Sequence, residues 1–284
     1  MPGVGPTLRH AVRAADARQP GGRRPRLRLR AAARRPRRPG RAPLRRRSAT
    51  HVGNDNRIHP TAVIGPEVTL GTNNVVGPFC VLQGRVSLGD DNYLASHVVV
   101  GGAAEVRGHD MTASWEEPFD GNPVAIGSRN VFKEMVTISG GWAHETAVGD
   151  DGFFMTKAHV NHDGRIGDEV TVSAMVVTAG HVTVGDGANL GLGTVVHQRL
   201  TVPEGSMIGM QSAVTRQLPP FVVSMGVPAR AARLNTYRLD RLGVAADQHE
   251  PLAAVVLHGS RDTSGLHDPL KAPVEAWLSR LEHH

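Results

Sequence analysis

Residues 148–184 read VGDDGFFMTKAHVNHDGRIGDEVTVSAMVVTAGHVTV, and the pattern they set continues to Val214. Taking every sixth residue gives Val148, Phe154, Val160, Ile166, Val172, Thr178, Val184, Leu190, Val196, Val202, Ile208 and Val214; eleven of these twelve are apolar. A period of six is neither the roughly 3.6 of a helix nor the roughly 2 of a half-buried strand. A short fixed repeat instead signals a solenoid, in which each unit buries its apolar face by stacking on the next.

The same period extends upstream. It begins at Ile58 and runs through Ile64, Leu70, Val76, Leu82, Leu88, Leu94 and Val100, and it returns at Ile126, Phe132 and Ile138, making 23 hexads in all. Glycine often follows the apolar residue (Gly65, Gly71, Gly77, Gly89, Gly101), and an asparagine or small residue often stands two before it (Asn56, Ala62, Asn74, Cys80, Asn92). Gly and Asn suit tight corners and positive φ. Two stretches break the register, residues 103–125 and residues 139–147. Long loops thrown from a regular scaffold are often binding elements. The first is expected to be one; the second fits a neutral insertion equally well.

Composition divides the chain. Residues 1–50 hold sixteen Arg and one acid, Asp16, so about +15 of charge; the total of +6 therefore leaves −9 for the remainder. Residues 1–55 are poor in aromatic and β-branched side chains and cannot bury enough surface to offset ordering entropy. A nucleic-acid arm, a tether to anionic membranes and a transit peptide all fit such a segment. With no aromatics interleaved for base stacking, translated upstream sequence is the expectation, and no nucleic-acid partner is assigned. The single cysteine, Cys80, excludes an internal disulfide and fits a reducing compartment. No apolar run approaches the ~18 residues of a membrane span. The expectation is therefore a cytoplasmic protein without stable membrane insertion. The final Leu281-Glu282-His283-His284 has the look of a tag scar and is set aside.

After Val214 the repeat stops at Pro219-Pro220. Residues 229–243 carry Leu234, Leu239 and Leu242 at helical spacing, and residues 268–281 place Val274, Trp277 and Leu281 on one face. Both are expected to be helices, with a weaker one between residues 245 and 265. The expected organisation is a basic tail (1–55), a β-helix domain (56–220) and a C-terminal helical region (221–284).

The chemically suggestive residues lie inside the repeat. Val160 points inward, so His159 and His162 sit near a coil edge or an outer face. An imidazole there serves as a general base near neutral pH, and the adjacent Asp163 can orient it and stabilise its charged form.

The hexads resemble those of left-handed parallel β-helix acyltransferases, in which three make one triangular coil of roughly 18 residues. Phe154-Met155-Thr156-Lys157-Ala158-His159-Val160-Asn161-His162-Asp163 closely resembles the catalytic segment of the acyl-(acyl-carrier-protein)–UDP-N-acetylglucosamine O-acyltransferase family, which opens lipid A synthesis. Ile58-His59-Pro60-Thr61-Ala62, Gly77-Pro78-Phe79-Cys80, Ser96-His97-Val98-Val99-Val100, Ala179-Gly180-His181-Val182 and Val196-His197-Gln198 match in the same order, as do Asn235 and Arg241 beyond the repeat. The likeness spans roughly residues 56–243.

The resemblance implies a mainly β fold, a left-handed parallel β-helix with a small C-terminal α-helical region. It implies that His162 takes a proton from a sugar hydroxyl attacking a thioester, that Asp163 orients His162, and that the Gly180 N–H holds the oxyanion. His159, His181, His197 and Gln198 would line the nucleotide-sugar and acyl site, with Asn235 and Arg241 on phosphates or the acyl donor. The donor would be acyl carrier protein or acyl-coenzyme A, docking on Arg216, Arg230, Arg233, Arg238 and Arg241. No cofactor and no metal is implied. A homotrimer is, with Val99, Val176 and Val195 as exposed interface aliphatics. The spacing agrees, since Gln198 follows His162 by 36 residues and His181 follows Asp163 by 18.

This chain also departs from the family. Residues 103–125 lack lysine, Ala174-Met175 replace a usual pair of asparagines, and Pro203 stands where a small residue commonly sets acyl length. An acyl- or acetyltransferase acting on another nucleotide sugar is thus the alternative, with a non-catalytic β-helix binding module behind it. A zinc lyase on the same scaffold needs three histidines converging on one metal, and the close spacing of His159 and His162 does not suit it.

Overall fold

In a computed structural model, which describes residues 51–107 and 121–282, the chain winds into a left-handed parallel β-helix. The arginine-rich residues 1–50, the middle of the first interruption (108–120, with Asp110, Trp115 and Asp120) and the last two histidines lie outside the described residues. The strands, mostly of two or three residues, stack into three sheets of eight, ten and eight strands that form the walls of a triangular prism.

The register follows from the hexad. Val177 pairs with Val195 and Val160 with Thr178, each 18 residues on. The two interruptions alter that step locally. Val86 pairs with Val124, a step of 38, so the first adds 20 residues; Val124 pairs with Thr146, a step of 22, so the second adds 4. Beyond both, the step of 18 resumes with Ala147 against Arg165. The first strand, His51–Val52, lies one hexad before Ile58 and pairs with Thr69 and Leu70.

Every hexad sends two residues inward. The sixfold series fills the prism, with Phe132, Phe154, Val160, Leu190 and Ile208 all fully buried. The residues two before them fill its corners, as Cys80, Val98, Ala158, Val170 and Val182 do. Val176 is one of these corner residues and is fully buried, so it is no interface residue; its neighbour Val177 and the more distant Val195 are exposed. Thr178, the polar member of the series, is tolerated because its hydroxyl donates to the His159 carbonyl at 3.3 Å.

Turn chemistry differs from the expectation in one respect. The positive-φ position recurs every six residues at Lys157, Asp163, Glu169, Met175, His181, Gly187, Gly193, Arg199, Gly205 and Gln211, and most of these are not glycine. The glycines that follow the apolar residues serve another purpose. A Cβ on Gly77 would lie 2.9 Å from the Ala95 carbonyl of the next coil. Gly65, Gly71, Gly77 and Gly89 are glycines because successive coils approach closely; of the five, Gly101 also has a positive φ, of 82°.

The C-terminal region opens with a hairpin. Residues from Ala229, expected to be helical, form the strand Arg230–Leu234, antiparallel to Val222–Met225. The wholly buried Val222 and nearly buried Val223 need a partner strand, and that requirement outweighs the helical spacing of the leucines. Three helices follow: α1 (Thr236–Arg241), α2 (His249–Val256) and α3 (Lys271–Glu282). Leu239, Leu252, Val255, Val274 and Trp277 form a second small core with Phe221 and Val222. Leu281, expected on the buried face of α3, is exposed. Among the described residues no helix is long and apolar enough to cross a membrane.

Candidate active site

His159 ends in a sheet wall, in the strand His159–Val160; His162 and Asp163 form the corner turn that follows, before the strand Arg165–Ile166. A step of 18 places Gly180 directly over His162 and His181 over Asp163, and a second step places Gln198 and Arg199 above those.

Asp163 is the fixed point. Its side chain is fully buried, with one oxygen, Oδ2, 2.6 Å from His162 Nδ1. The other, Oδ1, accepts three backbone N–H bonds, from Trp142 at 3.1 Å, Ala143 at 2.9 Å and His144 at 2.5 Å. Its own N–H donates to the Thr146 hydroxyl at 3.0 Å. Burial pushes the carboxyl's pKa up, but the bonds from His162, His144 and Trp142 and the nearby His181 together hold it below the ordinary value. A carboxylate kept charged in a dry corner favours Nδ1–H on His162 and leaves Nε2 to accept a proton.

The His162 ring lies against Gly180. A Cβ added there would come within 2.5 Å of His162 Nε2, so Gly180 is required for close approach. Among the described residues the Gly180 N–H finds no acceptor. The His181 ring meets that of His162 edge to face, centroids 5.1 Å apart, and its Nδ1 is 3.5 Å from Asp163 Oδ2. Burial lowers the pKa of His181, opposed by Asp163 and assisted by Arg199.

His162, Asp163 and His181 also place three ligand-type atoms within 4.8 Å of one another. Two of Asp163's interactions argue against a metal centre. The 2.6 Å contact to His162 is that of a charge-assisted hydrogen bond, with no space for an ion between the partners. The second oxygen is saturated by amides.

Of the expected residues, His159, His162, Asp163, Gly180 and His181 converge. His159 Nδ1 is 2.7 Å from the Thr137 hydroxyl. His197 and Gln198 are exposed on the same corner, two coils from His162, with His197 Nδ1 3.3 Å from the Gln198 carbonyl. Asn235 and Arg241 stand elsewhere. They line a cleft of about 810 Å³ beside Asp151, Glu169 and Arg238, along the next corner and an adjoining wall of the prism. Asn235 is the N-cap of α1, and its amide also donates to the Gly205 carbonyl at 2.8 Å. Arg238 crosses the cleft to Glu169 at 2.8 Å. Residues 142–144, Thr146, Thr137, Glu105 and Asn161 were not singled out from the sequence, although each touches this site.

Known proteins resemble this chain in sequence and in fold. Residues 49–84 match the bacterial transferase hexapeptide family (six repeats). The chain is 37% identical over 151 residues to acyl-(acyl-carrier-protein)–UDP-N-acetylglucosamine O-acyltransferase of Burkholderia orbicola, covering 52% of this chain and 57% of the relative. The Burkholderia multivorans enzyme of the same name is 39% identical over the same shares. The chain thus spans little more than half the length of these relatives. Among solved structures, UDP-N-acetylglucosamine acyltransferase of Campylobacter jejuni is 25% identical with a TM-score of 0.67, covering 76% of this chain and 83% of that one. The Francisella novicida counterpart is 25% identical with a TM-score of 0.57, covering 82% and 83%. The likeness carried by the sequence motifs is therefore found in both sequence and fold.

Proposed function

We propose that the protein transfers an acyl group from acyl carrier protein to the 3-hydroxyl of UDP-N-acetylglucosamine, with His162 as general base. The observation that carries this reading is the Asp163 carboxylate, bound to His162 Nδ1 and held by three amides. Nε2 of His162 would take the hydroxyl proton as the oxygen attacks the thioester carbonyl. Asp163 would stabilise the imidazolium that forms. The Gly180 N–H would donate to the tetrahedral oxyanion, where loss of one such donor costs about 3–4 kcal/mol. Collapse would break the C–S bond, and His162 would return the proton to the leaving thiolate. The two Burkholderia relatives are named for O-acylation of UDP-N-acetylglucosamine from acyl carrier protein, which supports this reading.

Asn235 and Arg241 lie along another corner of the prism from His162, so both sets meet on one substrate only if a second copy supplies one of them. We therefore include a homotrimer with sites between subunits, the exposed Val177 and Val195 contributing apolar contact. Arg233, Arg238 and Arg241 would receive acidic carrier protein or substrate phosphates. A cytoplasmic location belongs to the same proposal.

The test is acyl transfer from 3-hydroxyacyl carrier proteins of several chain lengths to UDP-N-acetylglucosamine, with His162→Ala alongside. Transfer that falls by orders of magnitude in the variant supports the reading. No transfer with any donor, acyl-coenzyme A included, would overturn it; retained nucleotide-sugar binding would then favour another acceptor or a binding module.

A further inference from the structure

The cleft beside α1 holds an ion pair for which the mechanism above has no use. Arg238 reaches from α1 to Glu169 on the prism corner, Nη1 to Oε2 at 2.8 Å. Two glycines of the same corner, Gly187 and Gly205, make its seat; they follow Glu169 by 18 and 36 residues. A Cβ on Gly187 would collide with Nε, Cζ and Nη2 of the guanidinium, and one on Gly205 would press on the Arg238 Cγ at 3.2 Å. Arg129, Asp151 and Glu169 take positive φ on this corner with full side chains. The absence of a Cβ at Gly187 therefore serves the guanidinium and not the turn.

Arg238 is thus placed by shape. Its side chain is 15% exposed, and Nε is buried without a partner among the described residues. Glu169 differs: its side chain is 52% exposed, and this pair is the carboxylate's one contact of the kind among the described residues. An ion pair so open to water adds little stability, and the arginine keeps its seat without it. What the carboxylate does is fill the place of an anion.

The rest of the cleft is short of negative charge. Arg233 and Arg241 line it and form no ion pair among the described residues, while Asp151 is taken up by Arg129 at 2.7 Å. About 810 Å³ with two uncompensated guanidiniums, and a third capped by a carboxylate, suits a small ligand with a diphosphate. We propose that Glu169 is an affinity-setting residue of this cleft, a carboxylate that holds the anion position on Arg238 and gives way when a ligand diphosphate takes it. The identity of that ligand, UDP-N-acetylglucosamine, rests on the acyl-acceptor reading above. Binding is then an exchange of anions. It is weaker than three free guanidiniums would give, and the acylated product leaves faster.

The test is calorimetric binding of UDP-N-acetylglucosamine, inorganic pyrophosphate and uridine to the full chain and to its Glu169→Gln and Arg238→Gln variants. Glu169→Gln is expected to bind both anions about five- to thirtyfold tighter and uridine within about twofold, with the thermal midpoint moved by less than about 2 °C. Arg238→Gln should bind both anions about tenfold more weakly or worse. Unchanged or weaker binding of the anions by Glu169→Gln, or an equal gain for uridine, overturns the role of Glu169 alone. Tightening of both anions, with UDP-N-acetylglucosamine bound no better than pyrophosphate, supports that role and overturns the acceptor reading. Failure of all three chains to bind either anion overturns both.

Discussion

At the scale of single residues the site depends on close approach. Gly180 has room for His162 only because it lacks a Cβ. Gly180→Ala should therefore displace the ring and reduce kcat by about a hundredfold or more, with the thermal midpoint moved by only a few degrees; an active variant would show that the ring has another resting place. Asp163→Asn keeps the shape but removes the charge that fixes the tautomer, and kcat should fall by several orders of magnitude while acceptor binding persists. Two further rings give a pH dependence. Burial holds His159 and His181 below their ordinary value of 6.5. The unfolded chain then binds more protons than the folded one in the window below pH 6.5, so stability is complete above it and declines as pH falls. Thermal midpoints measured from pH 7.5 to 5.5 should drop, less steeply in His159→Gln. His162 and Asp163 were legible in the sequence as an adjacent imidazole and carboxylate, and Gly180 and His181 through the family resemblance, with which the spacing of 18 between Asp163 and His181 agrees. Glu105 was not, because it reaches Asn161 across a separation of 56 residues that spans both interruptions.

At the scale of the element, the corner turns matter more than the strands, most of which are only two residues long. Asparagines at one corner form a ladder: Asn92 Nδ2 donates to Asn74 Oδ1 at 3.0 Å, and Asn130 Nδ2 donates to Asn92 Oδ1 at 3.1 Å. All three are almost wholly buried. Asn92→Ala strands donors and acceptors on both neighbouring coils and should cost about 2–4 kcal/mol by denaturant unfolding. The second interruption shows where sequence reading runs out. The hexad count locates it, but side-chain types there carry no information on where backbone N–H groups point. Its four added residues turn the amides of Trp142, Ala143 and His144 onto one carboxylate oxygen. The hairpin after Val214 was equally hidden, because the leucines of residues 229–243 keep helical spacing while the strand edge before them dictates pairing.

At the scale of the whole molecule, residues of one proposed reaction sit on different corners of a prism. Chains carrying His162→Ala and chains carrying Arg241→Ala, each inactive alone, should recover activity when unfolded and refolded together, because some mixed assemblies pair two intact halves. No recovery would place each site within one chain. The hairpin bears on a separate matter. A parallel coil has no intrinsic last turn, and its final strands offer unpaired amides for another chain to extend. Here Arg230–Leu234 runs backwards against Val222–Met225, the Gly226 carbonyl takes the Ala213 N–H, and the Gln217 side chain takes that of Thr201. Reversal of one strand thus makes the molecule finite: cut before residue 222, the same repeat would be a seed for end-to-end growth into filaments.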